Sequence, residues 1–157
     1  MNRRSALHFL WLPLTALAFT GSAFAQSNQT VVGSYQPVTV PAFGDNPRGQ
    51  MILTADGRYS IVLARATMPT IAGGARTKGT AEENKAVVDG SIAHSGRYTI
   101  DDGGKSISFH TETSTFPNWD GTTQKRPLTV SGDTLSYTVM TPSNGQAPND
   151  VTWKRMK

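Results

Sequence analysis

Apolar and polar residues alternate along most of the chain in short segments, and residues that favour turns separate these segments. Alternation with a period of two is typical of strands that bury one face, and the Asp-Gly and Gly-Gly steps between segments favour tight antiparallel connections. Eight such segments follow one another, at residues 31–40, 49–54, 58–65, 96–100, 105–114, 122–130, 134–140 and 151–156. About eight strands close a barrel just wide enough for one small ligand. The sequence therefore predicts an all-β protein, a single antiparallel up-and-down β-barrel of about eight strands.

The stretch 66–90 breaks this pattern, because it is too long for an ordinary connection between strands. Thr80, followed three residues later by Glu83, forms the sequence of a capping box, which predicts one short helix that ends at Asp89-Gly90. The glycine-rich residues 71–79 before it predict a loop. Two interpretations remain open: a surface excursion that packs on the side of the barrel, or a lid over its mouth.

The first 25 residues have the three parts of a secretory signal peptide. Arg3 and Arg4 form the charged start, and residues 6–19 are mostly apolar but short for a membrane anchor. Ala23-Phe24-Ala25 then supplies the small-x-small cleavage pattern, so we expect cleavage between Ala25 and Gln26. No second long apolar run follows. The sequence thus predicts a periplasmic or secreted barrel domain over residues 26–157, without a membrane span in the mature chain.

Composition and charge exclude several classes of function. Lys and Arg number 15 against 11 Asp and Glu, and no basic run is longer than two residues, so we expect no nucleic-acid partner. The chain has no cysteine, and residues 26–157 contain only the histidines His94 and His110, which do not form a zinc-type cluster. Motifs for a phosphate loop, a dinucleotide site or a serine nucleophile are missing. We therefore expect no metal and no cofactor, and assign no catalytic residues.

Polar side chains concentrate between residues 105 and 126. His110 and Glu112 are two apart on one predicted strand, and Gln124 and Arg126 are two apart on the next, so each pair shares a face at a spacing of about 7 Å. Trp119 lies in the connection between these strands. This arrangement is the candidate binding site.

The same stretch resembles the signature of the small lipocalin-like domain family. The resemblance rests on His110-x-Glu112-x-Ser114-x-x-Pro117-x-Trp119-x-Gly121-Thr122-x-Gln124-x-Arg126, and on the shorter pieces Gly33-Ser34-Tyr35, Asp56-Gly57-Arg58 followed by Arg65, and Gly96-x-Tyr98-x-Ile100. It implies a calycin-type barrel that binds a small apolar molecule. It implies no agreed reaction.

The family motif and the strand alternation imply different orientations for His110 and Glu112, whereas the alternation alone orients Arg126. Arg126 shares a strand face with Leu128 and Val130, so it should point into the barrel, where a charge needs a partner. Glu112 is the nearest acid by sequence. However, inward-facing apolar residues at 107 and 109 would turn His110 and Glu112 outward, whereas the family motif implies that both face the interior.

Three hypotheses about function follow. The leading one is a secreted or periplasmic lipocalin-like protein that binds a small, mostly apolar molecule in the barrel. The alternative is a cofactor-free isomerase or cyclase, in which His110 and Glu112 handle protons and Arg126 stabilises negative charge. The third is a module that binds another protein through its loops. The candidate ligand-binding residues are Arg65, Tyr98, His110, Glu112, Trp119, Gln124 and Arg126. The sequence favours binding over catalysis and leaves an activity open.

Overall fold

A computed structural model describes residues 30–157, which form a closed antiparallel barrel with one α-helix. Each strand pairs with its neighbours in sequence, and the last strand pairs with the first. The strands are β1 Gly33–Thr39, β2 Arg48–Leu53, β3 Arg58–Ala64, β4 Ser91–Asp101, β5 Ser106–Ser114, β6 Thr123–Ser131, β7 Thr134–Val139 and β8 Asn149–Arg155. The predicted fold is confirmed. The predicted leader and its cleavage site between Ala25 and Gln26 lie outside the described residues.

The helix α1, Ala81–Gly90, begins at the capping box that the sequence contains. The backbone N–H of Glu83 donates to Thr80 Oγ1 at 3.2 Å, and the Thr80 N–H donates to Glu83 Oε2 at 2.9 Å. These two bonds satisfy donors that a helix start would otherwise leave unpaired. Within residues 30–157, no helix is both long and apolar enough to cross a bilayer.

Strand β4 is longer than the alternation alone indicated, because it starts at Ser91, directly after the helix. Opposite Ser95 and Gly96, an extra residue in β5, Glu112, forms a bulge that shifts the register between the two strands. Gly96 is required there, since a Cβ atom at this position would overlap the carbonyl oxygen of His110. The extended β4 adds Ile92 and His94 to the interior of the barrel.

The two ends of the barrel differ in their connections. At one end, short turns join β2 to β3, β4 to β5 and β6 to β7. At the other end, the longer connections 40–47, 65–90, 115–122 and 140–148 surround an open mouth. Tyr35 and Tyr98 close the tight-turn end, where their hydroxyls donate to the carbonyl oxygens of Val31 and Thr54 at 2.7 and 2.8 Å. Within residues 30–157, the interior cavity therefore lies at the open end.

Candidate functional site

A cavity lies at the open end of the barrel; its interior volume is about 50 Å³, and all empty space out to the open mouth amounts to about 460 Å³. Its wall is mostly apolar and combines residues of several strands with residues of the surrounding loops. The lining side chains are Val40, Ala42, Phe43, Leu63, Ile92, His94, Trp119, Arg126, Tyr137, Val139, Pro142, Ser143, Asn144, Asn149 and Val151. A mostly apolar wall with a few polar groups is typical of small-molecule sites.

Arg126 points into the barrel, as the alternation on β6 predicted, and is only 3% exposed. Its guanidinium carbon lies 4.8 Å from the ring centre of Tyr137 and 5.0 Å from that of Phe109. One terminal nitrogen donates to Gln124 Oε1 at 2.7 Å, while Nε is buried without a hydrogen-bond partner. Leu128 on the same face is buried, and Val130, which is paired with the buried Leu135, lies on this face at the exposed rim of β6.

The prediction that Glu112 is the partner of Arg126 is wrong. Glu112 lies on the outer surface, where its carboxylate contacts Arg58 at 3.3 Å and Arg97 at 3.6 Å. Thr111 takes the inward position on β5 instead, because side chains alternate between the two faces of a strand. Among the ion pairs of residues 30–157, none involves Arg126. Its charge is therefore buried without a carboxylate.

His94 is a second interior group that sequence reasoning did not place in the site. It is 5% exposed, and its Nδ1 lies 3.0 Å from the Tyr59 hydroxyl, which in turn lies 3.1 Å from Thr111 Oγ1. Burial, with a smaller contribution from the charge of Arg126, lowers the pKa of His94 to about 3. The imidazole is thus neutral at physiological pH. Its position could have been found from the alternation of Ile92, His94 and Tyr98, but the predicted strand began too late.

The tyrosines around Arg126 do not balance its charge. Burial raises the pKa of both Tyr59 and Tyr137 above the ordinary value, so both phenols stay protonated at neutral pH. Burial also lowers the pKa of Arg126, but a guanidinium starts so high that it remains charged in proteins. The cavity therefore presents one positive charge that is stabilised mainly by aromatic ring faces.

Trp119 forms part of the cavity wall. It ends the short 3-10 turn Pro117–Trp119 between β5 and β6, and its ring meets the ring of His94 edge-on at 5.3 Å. A similar contact at 5.7 Å joins it to Phe116. Of the predicted site residues, Trp119 and Arg126 line the cavity, and Gln124 lies behind them as the hydrogen-bond acceptor of Arg126.

The other four predicted residues lie elsewhere. Tyr98 is buried at the tight-turn end, and Arg65 is exposed just after β3, where its backbone N–H donates to the Gly90 carbonyl at 2.9 Å. His110 lies on the outer face, with Nδ1 at 2.9 Å from Thr123 Oγ1. The expectation from the family motif that His110 and Glu112 face the interior is therefore wrong, and the strand alternation is right. None of the four lines the cavity.

The segment 66–90 lies beside the mouth. The cavity wall contains no residue of this segment. The last turn of α1, with Val87 and Val88, instead borders a second depression that also touches Phe116 and shares Phe43 with the cavity wall. The segment therefore borders the mouth without lining the cavity itself, and a role as a lid stays a prediction. Within residues 30–157, no three His, Asp or Glu side chains are grouped so that they could hold a metal ion.

Comparison with known proteins adds three findings. A family profile described as a lipocalin-like domain matches residues 28–156. The chain is 31% identical over 87 residues to a protein of Aspergillus oryzae named 4'-hydroxy-3'-methoxypropiophenone carrier protein, an alignment that covers 50% of this chain and 78% of that relative. Among solved structures, a redesigned β-barrel is similar with a TM-score of 0.47 and 16% identity, over 87% of this chain and 100% of that one.

Proposed function

The chain belongs to the lipocalin-like domain family, and we propose that it binds and carries a small, mostly apolar molecule in the cavity at the open end of the barrel. The observation that carries this proposal is Arg126. A charged side chain that is 3% exposed, borders an apolar cavity and has an unpaired Nε is poorly explained as a structural element. Such a group is well suited to orient a ligand that fills the apolar space.

The chemistry of the wall supports an aromatic ligand. Trp119, His94 and Tyr137 present ring edges and faces to the cavity, and aromatic rings pack favourably against one another in offset or edge-on geometry. The relative from Aspergillus oryzae is named for a phenolic aryl ketone. That molecule combines an aromatic ring with a few oxygen atoms, which is the combination the cavity suits. We therefore propose aromatic ketones and phenols as the ligand class.

The proposed place of action is outside the cytoplasm, in the periplasm or the medium. The support is the three-part leader in the sequence, with cleavage between Ala25 and Gln26. Amino-terminal sequencing of the exported protein should find Gln26 first. Retention of Met1 in a membrane fraction would contradict this part of the proposal.

The isomerase or cyclase alternative has less support. Its proton-handling pair, His110 and Glu112, lies on the outer surface of the barrel. His94 does border the cavity, but a pKa of about 3 makes it a weak base at neutral pH. Binding without chemistry is therefore the function that the geometry supports best.

A fluorescence titration tests the proposal. Trp119 lines the cavity, whereas Trp153 is fully buried and does not. Adding 4'-hydroxy-3'-methoxypropiophenone to the exported protein should quench Trp119 in a saturable manner, and Trp119→Phe should remove most of the change. A native mass spectrum should show one ligand per chain. Absence of binding to this ketone and to related phenols would contradict the proposed function.

A further inference from the structure

We propose that the cavity binds its ligand as an anion, with the charged oxygen of an aromatic phenolate or carboxylate placed against the guanidinium of Arg126. This inference rests on the proposed function, because it specifies the charge state of the molecule bound in the same cavity. It predicts that the protein distinguishes acidic aromatic molecules from neutral ones of the same shape.

The first argument is the balance of charge. Arg126 borders the cavity and forms no ion pair among the described residues. The titratable groups that face it are Tyr59, His94 and Tyr137, and all three are neutral at physiological pH. Burying a charge is costly unless a group of opposite charge meets it. A bound anion would supply that group from outside the protein.

The second argument is the balance of hydrogen-bond donors. Arg126 donates to Gln124 Oε1, which fixes the orientation of the Gln124 amide and turns its Nε2 into a donor. Both Gln124 Nε2 and Arg126 Nε are buried without an acceptor. The same small region therefore holds two unpaired donors and a positive charge. An anionic oxygen, which accepts several hydrogen bonds and carries the opposite charge, complements the guanidinium, which is the group of this region that borders the cavity.

Phenols with a para-acyl group suit this site, because the carbonyl withdraws electrons through the ring and makes the phenol more acidic. Arg126 would further favour the ionised form of the bound phenol, since an opposite charge nearby lowers the pKa of an acid. Aromatic carboxylates present the same anionic oxygen. Phenolates and carboxylates would make the same contact with Arg126. They ionise in different ranges of pH, so a pH series distinguishes them.

The test compares three probes of similar shape on the exported protein. These are 4'-hydroxy-3'-methoxypropiophenone, its methyl ether 3',4'-dimethoxypropiophenone, and 4-hydroxy-3-methoxybenzoate. At about pH 5.5 carboxylic acids are ionised and phenols are not, so the benzoate measures carboxylate binding alone. Affinity for the phenolic ketone should rise with pH until the free phenol is ionised, while affinity for the ether should stay constant and at least about tenfold weaker.

The absorption spectrum of the ketone provides an independent readout. Ionisation of a para-acyl phenol shifts its absorption to longer wavelength. The bound ketone should therefore show the phenolate spectrum at a pH at which the free ketone is still mostly protonated. Arg126→Met should abolish this shift and weaken binding of the anion about tenfold or more. Arg58→Met removes a surface arginine paired with Glu112 and should leave both readouts unchanged.

The outcomes separate the two proposals. If ether and phenol bind equally at every pH and the bound ketone keeps the neutral spectrum, the ligand is neutral; the anion proposal is then wrong while the proposed function stands. If none of the three probes binds, both proposals fail. Should Arg126→Met not fold, which a circular dichroism melt would reveal, the pH series and spectra of the unmodified protein decide the matter alone.

Discussion

The two ends of the barrel each hold an arginine against aromatic rings, yet the two arginines are used differently. At the tight-turn end, the guanidinium of Arg155 lies 4.8 Å from the ring centre of Tyr35. At the open end, that of Arg126 lies 4.8 Å from the ring centre of Tyr137. The cation–π distances are the same. The difference lies in what the N–H groups meet.

Arg155 donates to backbone carbonyl oxygens, one of Val32 and one of Thr30 at 2.8 Å, and so ties the start of the barrel to its last strand. Arg126 meets side-chain oxygens, those of Gln124 and Tyr137, and keeps a buried Nε without a partner. A cation on a ring face is therefore no guide to function by itself. The count of unpaired donors separates the arginine that closes the fold from the one that is available to a ligand.

Replacing the structural arginine should have the largest effect. Arg155→Met removes charge-assisted hydrogen bonds to two carbonyls and should lower the free energy of unfolding by about 2–3 kcal/mol. Ligand binding at the far end should be unchanged. Urea denaturation measures the loss, and the exposed neighbour Lys154→Met serves as the control. Equal midpoints for the two variants would show that Arg155 does not tie the barrel closed.

Acid should destabilise the open end through His94. The folded-state pKa is about 3, below the ordinary 6.5. Between these values the unfolded chain binds a proton that the folded chain does not, so stability is complete above about pH 6.5 and falls as the pH is lowered, by about 1.4 kcal/mol per unit. The loss between pH 6.5 and 5 should be about 2 kcal/mol.

Stability curves for the protein and for His94→Gln check this expectation. The variant has no imidazole to protonate, so its stability should be nearly flat over the same range of pH. If the unmodified protein lost no more stability than the variant between pH 6.5 and pH 5, His94 would not be held neutral in the folded state. The glutamine also retains a polar group toward Tyr59, which limits the structural cost of the substitution.

Replacing the arginine at the open end should barely change stability in the absence of ligand. Arg126→Met leaves no carboxylate stranded and removes one hydrogen bond to Gln124, while it fills similar volume with an apolar chain. The free energy of unfolding should shift by less than about 1 kcal/mol, in either direction. Thermal melts measure it. A loss of about 3–5 kcal/mol would indicate a buried acid paired with Arg126.

The smallest effect should come from Glu112. Its side chain is 52% exposed and contacts two half-exposed arginines, Arg58 and Arg97. Pairs of this kind are screened by solvent, so Glu112→Gln should cost less than about 1 kcal/mol. Binding of the aromatic probes should not change. A marked loss of affinity in this variant, measured by the same fluorescence titration, would show that Glu112 contributes to ligand binding.

The parts of the site that could be predicted are those that depend on one strand at a time. Period-two alternation on β6 placed Arg126 and Gln124 inside, and the turn after β5 placed Trp119 near them. The same reasoning correctly turned His110 outward when the family motif implied the opposite. His94 was missed for a local reason too, since the predicted strand began at Gly96, although the alternation of buried residues on β4 continues back to Ile92.

The sequence by itself determined the number of strands, their antiparallel order, the capped helix and the inward direction of Arg126, because alternation, turn residues and capping are local properties of the chain. Only the tertiary structure decided what surrounds that arginine. His94 and Tyr59 reach it from β4 and β3, and Tyr137 reaches it from β7. Contacts across a barrel depend on the stagger of all eight strands and on the register shifts between them, and no short stretch of sequence contains that information.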